Sequence, residues 1–165
     1  MTPDHLPQLL GLTNTDEALI AAIMANASGD AKLTPKRIQD LKADFVMLRQ
    51  AGLVMSFSTR ETHTSDFGPP RGDGPRVLSG LFYYPMGSEE VDPYEGVAPL
   101  AAGRVLTRED ALAAYGEPSD GEEEDPDGDD VVEWEQWHVQ GLELTADYDD
   151  DEQVVTLTVS LPMVF

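Results

Sequence analysis

The chain has 165 residues, a net charge of −22 at pH 7 and no cysteine. That length suits one domain burying roughly 70% of the surface its unfolded form exposes, and the missing cysteines exclude disulfides, thiolate metal sites and a cysteine nucleophile. There is no run of about 18 apolar residues and no basic n-region leading into an apolar stretch at the N-terminus, which predicts a soluble cytoplasmic protein with no membrane partner.

Asn14-Thr15-Asp16-Glu17 predicts a helix start, with Asn14 as N-cap and Glu17 completing a capping-box arrangement ahead of Leu19, Ile20, Ile23, Met24 and Ala27. Thr34-Pro35 predicts a second start, because a cap followed by proline at the first helical position suits the unbonded N–H groups there. Ile38, Leu41, Phe45 and Leu48 share one helical face, so this second helix is expected to run until Gly52. Residues 53–58 read as a strand, 64–75 as a Gly/Pro/Asp loop and 77–84 as an aromatic core strand. Thr107-Arg108-Glu109-Asp110 opens a short helix that Gly116-Glu117-Pro118 closes.

After an acidic loop at 119–130, residues 131–139, 142–148 and 154–161 read as three strands joined by short turns. Leu142, Leu144, Ala146 and Tyr148 fall on one face, as do Val155, Leu157, Val159 and Leu161. The opposite faces carry Glu143, Thr145, Asp147, Thr156, Thr158 and Ser160, and are wet or covered by a partner. The fold expected is α+β: an N-terminal helical pair packed with a mainly antiparallel sheet ending in a three-stranded meander. It forms one domain over 1–165, with a helical part at 1–52 and a mixed sheet part at 53–165.

Charge is distributed unevenly along this chain. Residues 1–60 hold six acids and six bases, whereas 26 of the 32 acids follow residue 60, against Arg71, Arg76, Arg104 and Arg108 alone. Eleven acids and no base lie between Glu117 and Glu135. Such a field repels the phosphates that direct nucleic-acid binding must neutralise, and attracts and steers basic surfaces. The candidate partner-binding residues are Glu122, Glu123, Glu124, Asp125, Asp127, Asp129, Asp130, Glu133, Trp134, Glu135 and Trp137. Trp134 or Trp137 supplies the apolar aromatic anchor an interface needs. Being three apart on a strand, the two must point to opposite faces.

Other chemistry finds less support. Setting Gly128 on the invariant glycine of a calcium loop puts Glu123, Asp125 and Asp127 at ligand positions, but Trp134 falls where the bidentate glutamate belongs. His5, His63 and His138 have no metal-binding spacing, and no nucleophile elbow, P-loop or dinucleotide fingerprint occurs. No catalytic residue, metal or cofactor is therefore expected, and the chain reads as a binding protein, not an enzyme. Arg71-Gly72-Asp73 matches an adhesion tripeptide but sits where turn chemistry explains it.

From Phe82-Tyr83-Tyr84, through Tyr94-Glu95-Gly96, Pro99-Leu100 and the helix ending Gly116-Glu117-Pro118, to the tryptophan strand and terminal meander, the chain resembles bacterial immunity proteins. These neutralise toxins of polymorphic, contact-dependent or type VI secretion systems. The order of helix, Gly-x-Pro and meander is also similar to the repeat unit of the β-lactamase-inhibitor-protein-like fold. The resemblance covers about half the chain and implies an inhibitor that occludes a basic site on a toxin domain, one that processes nucleic acid. The alternatives are a DNA mimic that occupies a DNA-binding protein, and a general acidic interaction module.

Overall fold

A computed structural model describes residues 3–27, 32–121 and 132–164. A 3₁₀ helix at Pro3–Leu9 leads into α1 (Glu17–Asn26) and α2 (Pro35–Gln39); a hairpin of β1 (Phe45–Leu48) and β2 (Leu53–Thr59) follows, and then α3 (Arg60–Phe67) and β3 (Arg76–Tyr83). After a long irregular stretch come α4 (Arg108–Tyr115), the two-residue β4 (Asp120–Gly121), and the meander β5 (Trp134–Val139), β6 (Leu142–Tyr148) and β7 (Val154–Ser160). The strands form one antiparallel sheet in the order β1-β2-β3-β7-β6-β5-β4. It amounts to two three-stranded meanders joined along β3 and β7, so the class is α+β and the terminal meander is present.

Register explains the core. Following the paired residues across the sheet, Val46, Met55, Leu81, Val159, Leu144 and Trp137 form one continuous row, and Leu48, Leu53, Tyr83, Leu157, Ala146 and Glu135 form a second. Every one of these side chains is buried. Their apolar members cluster with Leu6, Leu10, Leu19, Ile23, Ile38 and Ala111 from the helical segments, so the helices cover this inner face. Each fully buried aliphatic side chain contributes about 1.5–3 kcal/mol relative to exposure.

Four sequence expectations are corrected here. The second helix stops at Gln39, and residues 45–48 pair with β2 instead, so the part before residue 53 is not wholly helical. Phe-Val-Met-Leu is aromatic and β-branched enough to suit a strand, and a short apolar run satisfies helical and strand spacing alike. Gly52 belongs to the hairpin turn, at φ +74° and packed so closely that a Cβ would lie 2.5 Å from Asp92 O and Tyr94 N.

Asn14 is not the cap of α1. Asp16 fills that position, accepting from Leu19 N at 3.0 Å, while Asn14 is buried. Its Nδ2 donates to Ile38 O and Gln39 O, both at 2.9 Å, and its Oδ1 accepts from Arg76 N at 3.0 Å. One side chain thereby ties the chain before α1 to the end of α2 and the start of β3.

The predicted loop at 64–75 begins inside α3, which Thr59 caps by accepting from Thr62 N at 3.2 Å. Only His63 of this helix is buried, so no apolar stripe advertised it. Between β6 and β7 the register shifts: Asp147 pairs with Thr156 but Tyr148 with Val154, which leaves Val155 as an extra residue in β7. An extra residue in one strand reverses the alternation beyond it, and Val154 is buried while Val155 is 38% exposed.

Candidate functional site

The strand alternation that buries Trp137 sends Trp134, Gln136 and His138 to the outer face of β5. Across the ladders Trp134 sits opposite Asp147 and Thr156, Gln136 opposite Thr145 and Thr158, and His138 opposite Glu143 and Ser160. These side chains are partly or fully exposed, and none of the nine is lysine or arginine. Gln136 Nε2 lies 3.5 Å from Thr145 Oγ1. Although Asp147 as a residue is exposed, desolvation at the sheet surface lifts its carboxyl above the usual range.

Exposed Asp120 continues this face across β4 as the partner of Gln136, and Glu117 and Glu133 are exposed in the neighbouring sequence. The turn between β6 and β7 carries Asp149, Asp150 and Asp151, although the Asp149 carboxylate is used within the turn, accepting from Asp151 N at 3.0 Å and Gln153 N at 2.9 Å. Towards β1 the same outer face becomes apolar, with Phe82, Val54 and Met47 continuing the row of Gln136, Thr145 and Thr158. α3 packs against β2 and β3, and α4 lies on the inner side, where the Tyr115 and Trp137 rings stand 5.4 Å apart.

Of the residues expected to bind a partner, Glu122, Glu123, Glu124, Asp125, Asp127, Asp129 and Asp130 lie outside the described residues. Glu133 is exposed, and Trp134 is partly exposed on the outer face. Trp137 and Glu135 are not at the surface: they are 1% and 3% exposed. Trp137 fills the core and donates its indole N–H to Gly116 O at 2.9 Å.

Glu135 is held in two parallel bonds by Arg108, Nε to Oε1 at 2.9 Å and Nη2 to Oε2 at 3.1 Å, and accepts a third from the Tyr148 hydroxyl at 2.9 Å. Arg108 also reaches Glu152 at 3.4 Å. A bidentate carboxylate inside the protein is a structural fastening of α4 to the meander. Burial, followed by the bond to Glu135, pushes the Tyr148 hydroxyl well above its ordinary pKa, so it remains a donor. The sequence signal for this pair was available: parity puts Glu135 on the face of Trp137, and Arg108 is the last base of the chain.

His5 and His138 are exposed and His63 is buried, and among the described residues no group of three His, Cys, Asp or Glu side chains could hold a metal. No described helix is long and apolar enough to cross a membrane. Arg71 fastens the N-terminal segment, donating through Nη2 to Gln8 O and Leu10 O, while Gly72 packs against Thr13. The outer meander face carries one indole ring, amide and hydroxyl groups, and the carboxylates of Glu143 and Asp147. Comparison with protein-family models, curated proteins and solved structures gives no match for this chain.

Proposed function

We propose that this chain is an immunity or inhibitor protein, not an enzyme, that covers a basic site on another protein with the outer face of its C-terminal meander. The toxin class implied by the sequence resemblance, one whose active site handles nucleic acid, presents the cationic surface such a face would match. Inhibition is by occlusion.

One observation carries the reading: Trp134 stands opposite Asp147 on a part-exposed sheet face that bears Glu143 and no lysine or arginine. Aromatic side chains at the centre of an interface, ringed by complementary charge, are where binding energy concentrates. Acidic residues in the adjoining sequence would extend the field, speeding encounter more than adding affinity.

The test is capture from the native host at low salt with tagged wild-type chain, followed by mass spectrometry, beside Trp134→Ala and the double variant Glu143→Lys, Asp147→Lys. A basic protein retained by the wild type and lost from both variants is the expected result, with an association rate that falls as salt screens the charges. Retention of the same proteins by all three would remove the outer face from consideration.

A further inference from the structure

The opposite edge of the sheet has the opposite charge. All three lysines of the chain, Lys32, Lys36 and Lys42, fall within residues 32–49 together with Arg37 and Arg49, against Asp40 and Asp44. Asp44 is already engaged by Arg76 at 3.2 Å. A molecule of net charge −22 therefore carries a basic island, and the sheet order places it around β1, at the edge farthest from β4.

Among the described residues the backbone of β1 is only half used. Phe57 N donates to Asp44 O at 2.7 Å, which makes these two a hydrogen-bonded pair. Since such pairs alternate along an antiparallel ladder, Val46 with Met55 and Leu48 with Leu53 are the next two. The peptide groups of Phe45 and Met47 consequently point away from β2. Among the described residues neither has a backbone partner. One step further, Arg49 O accepts from Asp92 N at 2.7 Å, which closes the open stretch at that end.

A groove of about 630 Å³ runs along this edge, with Leu33, Leu41, Val46 and Leu48 among its apolar lining and Arg37 and Arg49 among its polar lining. Arg37 Nη1 donates to Lys32 O and Arg49 Nη1 to Glu90 O. Each guanidinium has five N–H donors, so both keep donors for a carboxylate. Lysines beside an open edge also blunt it against aggregation, but blunting requires no apolar groove alongside.

We propose that the β1 edge takes up an extended acidic segment of another protein by strand addition, the main chain of that segment bonding to Phe45 and Met47 and its carboxylates meeting Arg37 and Arg49. Main-chain bonds supply affinity in this mode, and side-chain chemistry selects the partner. The inference stands apart from the proposed function, since it uses the other edge of the sheet and the other sign of charge.

The test uses the full chain and a capped peptide of about seven residues alternating glutamate and valine, long enough to match the strand, with a lysine–valine peptide as control. Amide hydrogen exchange read by NMR is expected to slow at Phe45 and Met47 with the acidic peptide only. Exchanging Arg37 and Arg49 for glutamate should weaken that peptide about tenfold or more, with unchanged exchange at Leu144 and Leu157 reporting an intact sheet. Met47→Pro, which removes an outward N–H without touching the ladder to β2, should abolish the protection, and Trp134→Ala should leave it unchanged. The proposal is overturned by an acidic peptide that protects neither amide or by equal binding of the lysine–valine peptide. Amides already protected in the free chain in a concentration-dependent way would overturn it too, because a second copy would then hold the edge.

Discussion

Arg108 and Glu135 meet in a two-pronged contact at 2.9 and 3.1 Å, which turns one carboxylate of the acid-rich stretch inward and spends it on holding α4 to β5. Removing one partner of a buried pair leaves the other charge uncompensated. Glu135→Gln is therefore expected to cost about 2–4 kcal/mol in urea unfolding, whereas Glu133→Gln, at an exposed position, should stay within about 0.5 kcal/mol. Tyr148→Phe, which removes one donor to Glu135, should cost about 1 kcal/mol. Equal effects at 133 and 135 would contradict the inward placement.

The tryptophans should separate spectroscopically. With Trp137 fully buried and Trp134 partly exposed, acrylamide should quench the fluorescence of the Trp137→Phe variant, in which only Trp134 remains, more strongly than that of Trp134→Phe. Trp137→Ala should destabilise by about 3–5 kcal/mol, the usual range for emptying a core aromatic site. Trp134→Ala should change stability little and act on partner capture.

Asn14 offers a test of how the N-terminal segments are joined. Replacing it with alanine removes the donor to Gln39 O and the acceptor for the amide of Arg76, while Ile38 O keeps its bond from Leu41 N at 3.2 Å; each buried group left without a partner costs about 1–3 kcal/mol. A loss of about 2–4 kcal/mol in denaturant unfolding is expected. Asn14→Asp should be worse than alanine, since a carboxylate would set an acceptor-only, negatively charged oxygen against those two carbonyl oxygens.

A pH effect should arise at His63. The ring is buried, its Nδ1 lies 2.9 Å from Gly68 O, it stands 5.3 Å from the Phe67 ring, and its Nε2 has no hydrogen-bond partner among the described residues. Burial lowers its pKa, only partly opposed by the Gly68 carbonyl and by Asp66. The unfolded chain therefore binds this proton at a higher pH, about 6.5, than the folded chain does. Stability from the neutral ring is present above that value and is lost as pH falls through it, levelling off below the lowered folded value. Melting curves between about pH 7.5 and 5 should show wild type losing more stability than His63→Gln on acidification; parallel curves would rule the ring out as the cause.

The elements legible in the sequence were those with chemical punctuation. Thr107 and Asp110 form the capping box of α4 and Gly116 ends it; Thr34 caps α2 with Pro35 behind it. The meander announced itself through alternation. β1 did not, because four apolar residues fit either period until β2 supplies a partner, and α3 did not, because its polar sequence packs through His63 alone. For the candidate site, parity separated Trp134 from Trp137 but could not orient them. That choice depends on α4, whose Gly116 carbonyl receives the Trp137 indole N–H. Glu135 was misplaced because its polarity was weighed above its position, two residues from Trp137 on one strand.

The seam between β3 and β7 has a consequence for how the chain is made. Each three-stranded meander can assemble from neighbouring segments, but Gly80 pairs with Ser160 and Tyr83 with Leu157, and such distant partners must wait for loop closure. During synthesis the first meander emerges with β3 open along one side until residues 154–160 have left the ribosome. Slow translation of the acid-rich middle would lengthen that exposure, so codon choice at 117–135 is expected to govern how much of the nascent chain aggregates.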